Sequence, residues 1–194
     1  MKLRYLPGQT PLDPDEASGL IPDHITTQND LNEWEAANIV KAREWLYSAR
    51  LDDVLDEGFC LELHRCMFCD TWNWAGKFRR SDKNIGSDWR SIAVALRNLY
   101  EDVDYWIAHG TYGMDETAAR FHHRLVAIHP FANGNGRHAR MSADALLLIR
   151  GAEAFSWGQD AELGVDGNIR ANYIRALKAA DESDIGPLLA FARS

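Results

Sequence analysis

The chain is most constrained between Thr117 and Arg150, where two helix-period stretches flank a segment that cannot be helical throughout. In the first stretch Ala118, Phe121, Leu125 and Ile128 fall on one stripe of a helix. Pro130 then disfavours a helical backbone at His129, so the helix must break there. In the second, Met141, Ala145, Leu148 and Ile149 share a face between Arg137 and Arg150. The order helix, Gly/Asn-rich loop, helix follows.

The intervening run, His129 to Arg140, reads HPFANGNGRHAR. Gly134 and Gly136 flank Asn135 and open backbone conformations closed to other residues, and the helix that starts beyond them offers unpaired N–H groups with a favourable dipole. Such a segment is an anion nest. Arg137 and Arg140 stand three apart on the first helical turn, so both guanidinium groups can clamp further phosphate oxygens. A polyphosphate suits this better than a single phosphate. His129 lies at the mouth of the loop, and a histidine can take a proton from an incoming hydroxyl near neutral pH.

This run resembles the Fic signature HPFxxGNGRxxR at all eight specified positions. The region from Leu12 to Trp157 is also similar to the Fic subfamily known as mobile mystery protein B, through TPLD at 10–13, LNEWE at 31–35, WAGKFR at 74–79 and NIG at 84–86. The resemblance implies a protein adenylyltransferase that moves AMP from ATP to a Ser, Thr or Tyr hydroxyl of a target protein. It assigns His129 as general base, Gly134, Asn135, Gly136, Arg137 and Arg140 to the phosphates, and Mg²⁺ to bridging phosphate oxygens. Most active members carry Asp or Glu at the second variable position as a Mg²⁺ ligand, where this chain has Asn133, an amide without the carboxylate's charge. Glycine rather than lysine at 134 argues against terminal-phosphate transfer. Transfer of another nucleotide, such as UTP or GTP, and a silent nucleotide- or partner-binding role are the alternatives.

The family further implies an inhibitory glutamate on a helix, paired with the second signature arginine, here Arg140. Glu35 is the candidate and Glu33 the runner-up, although neither has the family's Ser or Thr four residues earlier. Also implied are a mobile-element setting, a toxin-like role and a small helix-turn-helix protein encoded nearby.

Composition bounds the remainder. A chain of 194 residues, 46% hydrophobic and 26% charged, is long enough for one domain with a real core. Its formal charge of −8 argues against non-specific binding to nucleic acid or anionic membrane. Three cysteines, Cys60, Cys66 and Cys69, with no secretory signal or long apolar run, point to a reducing cytoplasm. Cys66 and Cys69 have redox-motif spacing, but with Phe59, Leu63 and Met67 they read as core packing on a helix. His122 and His123 are adjacent and point in different helical directions, which argues against a zinc cluster with His129.

The expected fold is all-α, seven or eight helices with one short β-hairpin. Residues 1–27, with four prolines and no sustained periodicity, form an extended N-terminal arm, and residues 28–194 form a single domain. Thr26, Thr27 and Asn29 can cap a helix running to Tyr47; by resemblance, 28–47 is the inhibitory helix. Asp56–Cys69, Ser91–His109, a helix capped by Asp115, Asn168–Ala179 and Asp184–Ala192 supply further helices. Residues 77–89 read as a hairpin and, by resemblance, as the flap, whose edge at Asn84, Ile85 and Gly86 would pair with an extended target segment.

Overall fold

A computed structural model describes residues 10–49, 51, 53–158 and 167–194. Within them the helices are α1 (Pro14–Ala17), α2 (Gln28–Ser48), α3 (Glu57–Phe68), α4 (Ile92–His109), α5 (Met114–Ile128), α6 (Asn135–Ile149), α7 (Gly167–Asp181) and α8 (Gly186–Ala192), with a 3₁₀ turn at Trp89–Ser91. The predicted helix, loop, helix order becomes the central pair α5 and α6. On it pack α4, against α5, and α3, against α6, while α2 lies on α3 and the α7/α8 pair leans on α5.

The core sits where these four faces meet. Leu63 and Met67 from α3, Leu96 and Leu99 from α4, Phe121 and Leu125 from α5, and Leu146 and Leu147 from α6 are fully buried. Each such side chain contributes roughly 1.5–3 kcal/mol on leaving water. A smaller cluster of Tyr173, Ala176, Ala180 and Leu188 joins α7 to α8.

The helix α2 starts with a capping box: Thr27 Oγ1 accepts from Asp30 N at 3.2 Å, and Asp30 Oδ2 accepts from Thr27 N at 2.9 Å. Its buried stripe is Leu31, Glu35, Asn38, Ala42 and Leu46. Two polar residues thus occupy apolar-phase positions. Asn38 Oδ1 accepts from Asp70 N and Thr71 Oγ1, which fixes the corner leading to the fully buried Trp72.

Several expectations need correction. The hairpin at 77–89 does not form, and there is no strand among the described residues; that segment is a loop of bends closed by side chains rather than by a ladder. Residues 1–9 of the expected arm lie outside the described residues, and the remainder is not wholly extended, since Asp13 caps the single turn α1. Asp115 does not cap α5: the N-cap is Gly113, and Asp115 instead accepts from Arg193. The helix after the loop begins at Asn135, two residues earlier than predicted, because Asn135 itself folds back on the loop. Cys60 is buried, and Cys66 and Cys69 pack against the core from half-buried positions. Burial pushes the Cys60 and Cys66 thiols up to about 12 and about 11, so neither is a reactive thiolate.

Candidate active site

His129 is the C-cap of α5 and takes φ 57°, ψ 59°, the left-handed region that a residue bearing a side chain visits at a cost of about 1–2 kcal/mol. Arg79 holds it there. This buried guanidinium donates from Nε to His129 O at 2.7 Å and from Nη1 to Ser81 O at 2.8 Å, and Nη2 reaches Ser87 O and Ile128 O. Arg79 N also donates to Pro130 O at 3.0 Å, and Ser87 N to Ile128 O at 3.2 Å. Gly86 completes the seat, with φ 109° and a position at which a Cβ would lie 2.7 Å from His129 Cβ. Arg79→Lys keeps the charge but loses the fork, stranding carbonyls at a cost of about 2–3 kcal/mol. A melting temperature lower by roughly 5–10 °C is expected, and an unchanged one would remove Arg79 from this role.

Burial pushes the His129 imidazole down to about 4, with the Val126 carbonyl acting in the opposite direction and Arg79 and Lys83 adding to the fall. The ring is therefore neutral at pH 7. Its Nδ1 is buried without a partner at hydrogen-bonding geometry, while Nε2 lies 3.0 Å from Thr10 Oγ1. In the Nδ1–H tautomer the Thr10 hydroxyl donates to Nε2, the arrangement a general base requires.

The loop beyond is clipped from within. Asn135 Oδ1 accepts from Phe131 N at 2.9 Å and its Nδ2 donates to Phe131 O at 2.8 Å. Phe131 is fully buried and stacks on His64 at 3.7 Å between ring centroids. His64 Nδ1 accepts from Gly76 N at 2.9 Å, so its proton is on Nε2 and goes to Asn133 O at 3.1 Å. Thus Phe131 anchors the loop. Asn135 contributes its side chain to loop shape rather than to an anion.

Gly134, at φ 78°, turns the chain into α6, and a Cβ there would strike the Phe68 ring at 2.5 Å. The first backbone bond of α6 runs from His138 N to Gly134 O at 2.9 Å. The N–H groups of Asn135, Gly136 and Arg137 precede it and can receive an anion. Arg137 and Arg140 flank this end but diverge. Arg137 lies over Phe68 and donates from Nη1 to Glu35 Oε2 at 2.9 Å, whereas Arg140 turns towards α7, 5.4 Å from the Tyr173 ring centre. Desolvation disfavours the charge on Arg140, as do Arg137 and Arg170 nearby. Arg170, on α7, brings a third guanidinium to this end of the molecule.

Glu35 is 7% exposed and splits its oxygens, Oε2 to Arg137 and Oε1 accepting from Trp72 Nε1 at 2.7 Å. The expected pairing with Arg140 is therefore corrected to Arg137. The two arginines leave α6 only about 60° apart, and their side chains diverge because Arg137 lies over Phe68 and Arg140 over Tyr173. Glu33 is exposed and accepts from Asn29 on the outer face of α2, away from the site.

The profile of the Fic/DOC family matches residues 54–147. The chain carries a Fic/DOC domain. It is 29% identical over 119 residues to protein adenylyltransferase Fic of Drosophila mojavensis and 30% identical over 121 residues to protein adenylyltransferase fic-1 of Caenorhabditis briggsae, in each case over 60% of this chain and 22% of the relative. It thus spans under a quarter of the length of these curated relatives. Among solved structures, Fic-1 (residues 134–508) from C. elegans superposes with a TM-score of 0.65 at 21% identity, over 91% of this chain and 50% of that one. BepC from Bartonella tribocorum, solved with bound AMPPNP, gives 0.68 at 18% identity over 92% and 95%.

In this Fic domain the 77–89 loop passes beside His129 at Gly86 and Ser87, and Ile85 is exposed. Asn84, Ile85 and Gly86 are all exposed, and no ladder constrains their backbone groups. Asn133 Oδ1 accepts from Gly134 N at 2.6 Å, and no group of three His, Cys, Asp or Glu side chains is placed for a metal among the described residues. One neutral amide oxygen, already engaged, does not fit a protein-held Mg²⁺.

The signal for one missed residue, Asn38, was present in the sequence. Glu35 and Asn38 interrupt an apolar stripe, and an interrupted stripe marks buried polar work. Arg79, His64 and Thr10 act across 50 or more residues, and only folding brings them together.

Proposed function

We propose that this chain is a protein adenylyltransferase that moves AMP from ATP to a Ser, Thr or Tyr hydroxyl of a target protein and releases pyrophosphate. The observation that carries the reading is a neutral, buried imidazole on the same short loop as the unbonded N–H groups that open α6 and the arginines beside them. His129 Nε2 takes the acceptor's proton. The N–H groups of Asn135, Gly136 and Arg137 face charge developing on the α-phosphate, and Arg137 and Arg140 neutralise the outer phosphates. The names of the curated relatives and the AMPPNP bound in BepC support a nucleoside triphosphate as donor. In this reading residues 28–194 act as one unit, and the loop at Asn84, Ile85 and Gly86 receives the target chain. No helix among the described residues is long and apolar enough to cross a membrane.

In the same reading Glu35 restrains the enzyme, because Arg137 cannot serve a phosphate oxygen while it is paired. Breaking a charge-assisted bond of about 1.5–3 kcal/mol should raise transfer roughly 10–100-fold in Glu35→Gly. Glu35→Gln keeps an acceptor for Trp72 Nε1 and isolates the effect of charge. Wild type and both variants would be incubated with α-³²P-labelled ATP, Mg²⁺ and a cell lysate, and protein-bound label counted. Equal label in all three would end the inhibitory assignment; none in any, with other nucleotides also tried, would end the transferase reading.

A further inference from the structure

The Thr10 hydroxyl stands where an acceptor must stand. It lies 3.0 Å from His129 Nε2, and both residues are buried. Among the described residues, no other side-chain hydroxyl is bonded to this imidazole. The position is held by a clamp close along the chain. Asp13 Oδ2 accepts from Ser81 Oγ at 2.7 Å and from Lys83 Nζ at 2.8 Å, and Glu16 Oε2 accepts from Lys83 Nζ at 2.5 Å. The Lys83 side chain is 3% exposed and that of Glu16 15%, so this half of the clamp is packed, while Asp13 meets the same ammonium from a half-exposed position. Trp74 Nε1 donates to Glu16 O at 2.9 Å, and Leu20 bridges to Trp72, which ties the segment at its far end. The loop expected to seat a target thus seats residues 13–16 of the same chain, and that anchorage delivers a hydroxyl to the base.

We propose that Thr10 is a modification site: the enzyme adenylylates this threonine in cis. The proposal rests on the transferase reading given above. Thr10 Oγ1 forms a bond to the α-phosphorus of ATP, the bridging P–O bond between the α- and β-phosphates breaks, pyrophosphate leaves, and the hydroxyl proton passes to His129 Nε2. Because acceptor and base are preassembled in one molecule, the reaction is first order in protein.

The test uses the full chain in the wild-type and Glu35→Gly forms, each also carrying Thr10→Val, Thr10→Ser or His129→Ala. They are incubated with α-³²P-labelled ATP, alone and with lysate. The expected result is self-label that maps to Thr10 by mass spectrometry, survives in Thr10→Ser, and falls at least about tenfold in Thr10→Val and in His129→Ala. The fraction labelled per minute should hold over about a hundredfold dilution. Thr10→Val should still label lysate proteins, which shows that it is folded. Self-label that persists in Thr10→Val, maps elsewhere or slows on dilution would overturn the proposal and leave the transferase standing, as would lysate label without self-label. No label on any protein in any form would overturn both.

Discussion

His129→Ala should reduce protein labelling from α-³²P-labelled ATP by about 10²–10⁴-fold, the usual contribution of a positioned general base. Two features of the site sharpen this. The imidazole is held in a left-handed backbone immediately before a proline, and alanine there would add a small backbone cost to the lost chemistry. His129→Asn is the better control, because asparagine tolerates that conformation and still cannot act as a base. Both variants should keep nucleotide binding, since the N–H groups at the start of α6 and the two arginines remain. Loss of binding together with loss of transfer would mean that the loop had collapsed. With burial holding the wild-type imidazole near 4, the acid limb of the rate should fall there rather than at the ordinary 6.5. A limb at 6.5 would mean that His129 is solvated when it reacts.

Acidification below pH 6.5 should destabilise the protein steeply. Burial lowers His122 to about 3 and His129 and His138 to about 4, and drives His64 well below its ordinary value. Between about pH 6.5 and 4 the unfolded chain takes up protons that the folded one refuses, so stability is lost as pH falls through that window. Each histidine adds on the order of 1 kcal/mol per pH unit. Asp144, pushed up to about 6 by burial, works against this below pH 6, because there the folded state is the one that gains a proton. The net slope is that of about three histidines. Urea midpoints measured at pH 7, 6 and 5 should fall progressively, and His138→Gln, which can still donate to the Cys60 carbonyl, should flatten the slope by about one histidine. A flat profile would show that these rings protonate in place.

The all-helical class, the position of the loop and the candidate base were legible because their signals are local: periodicity, a proline and two glycines within one run. Glu35 was named for the right site and given the wrong arginine, since the family pattern fixes residue types and the direction each arginine takes depends on Phe68 and Tyr173, which come from other helices. The hairpin failed for a related reason. Polar residues with a glycine suit either a ladder or a loop, and the choice fell to Arg79, whose guanidinium bonds the Ser81 and Ser87 carbonyls that a ladder would have paired. Thr10 lay in a stretch with no periodicity, where a sequence carries composition and little else.

The split carboxylate of Glu35 has a thermodynamic corollary. If Arg137 serves either Glu35 or a phosphate oxygen, then the factor by which a seated α2 weakens nucleotide binding equals the factor by which nucleotide loosens α2. Since α2 lies on α3 and sends Glu35 and Asn38 inward as its polar buried contacts, rising nucleotide should be felt along a whole helix on the outside of the bundle. Amide exchange in α2 would then report the occupancy of a site that α2 reaches through Glu35.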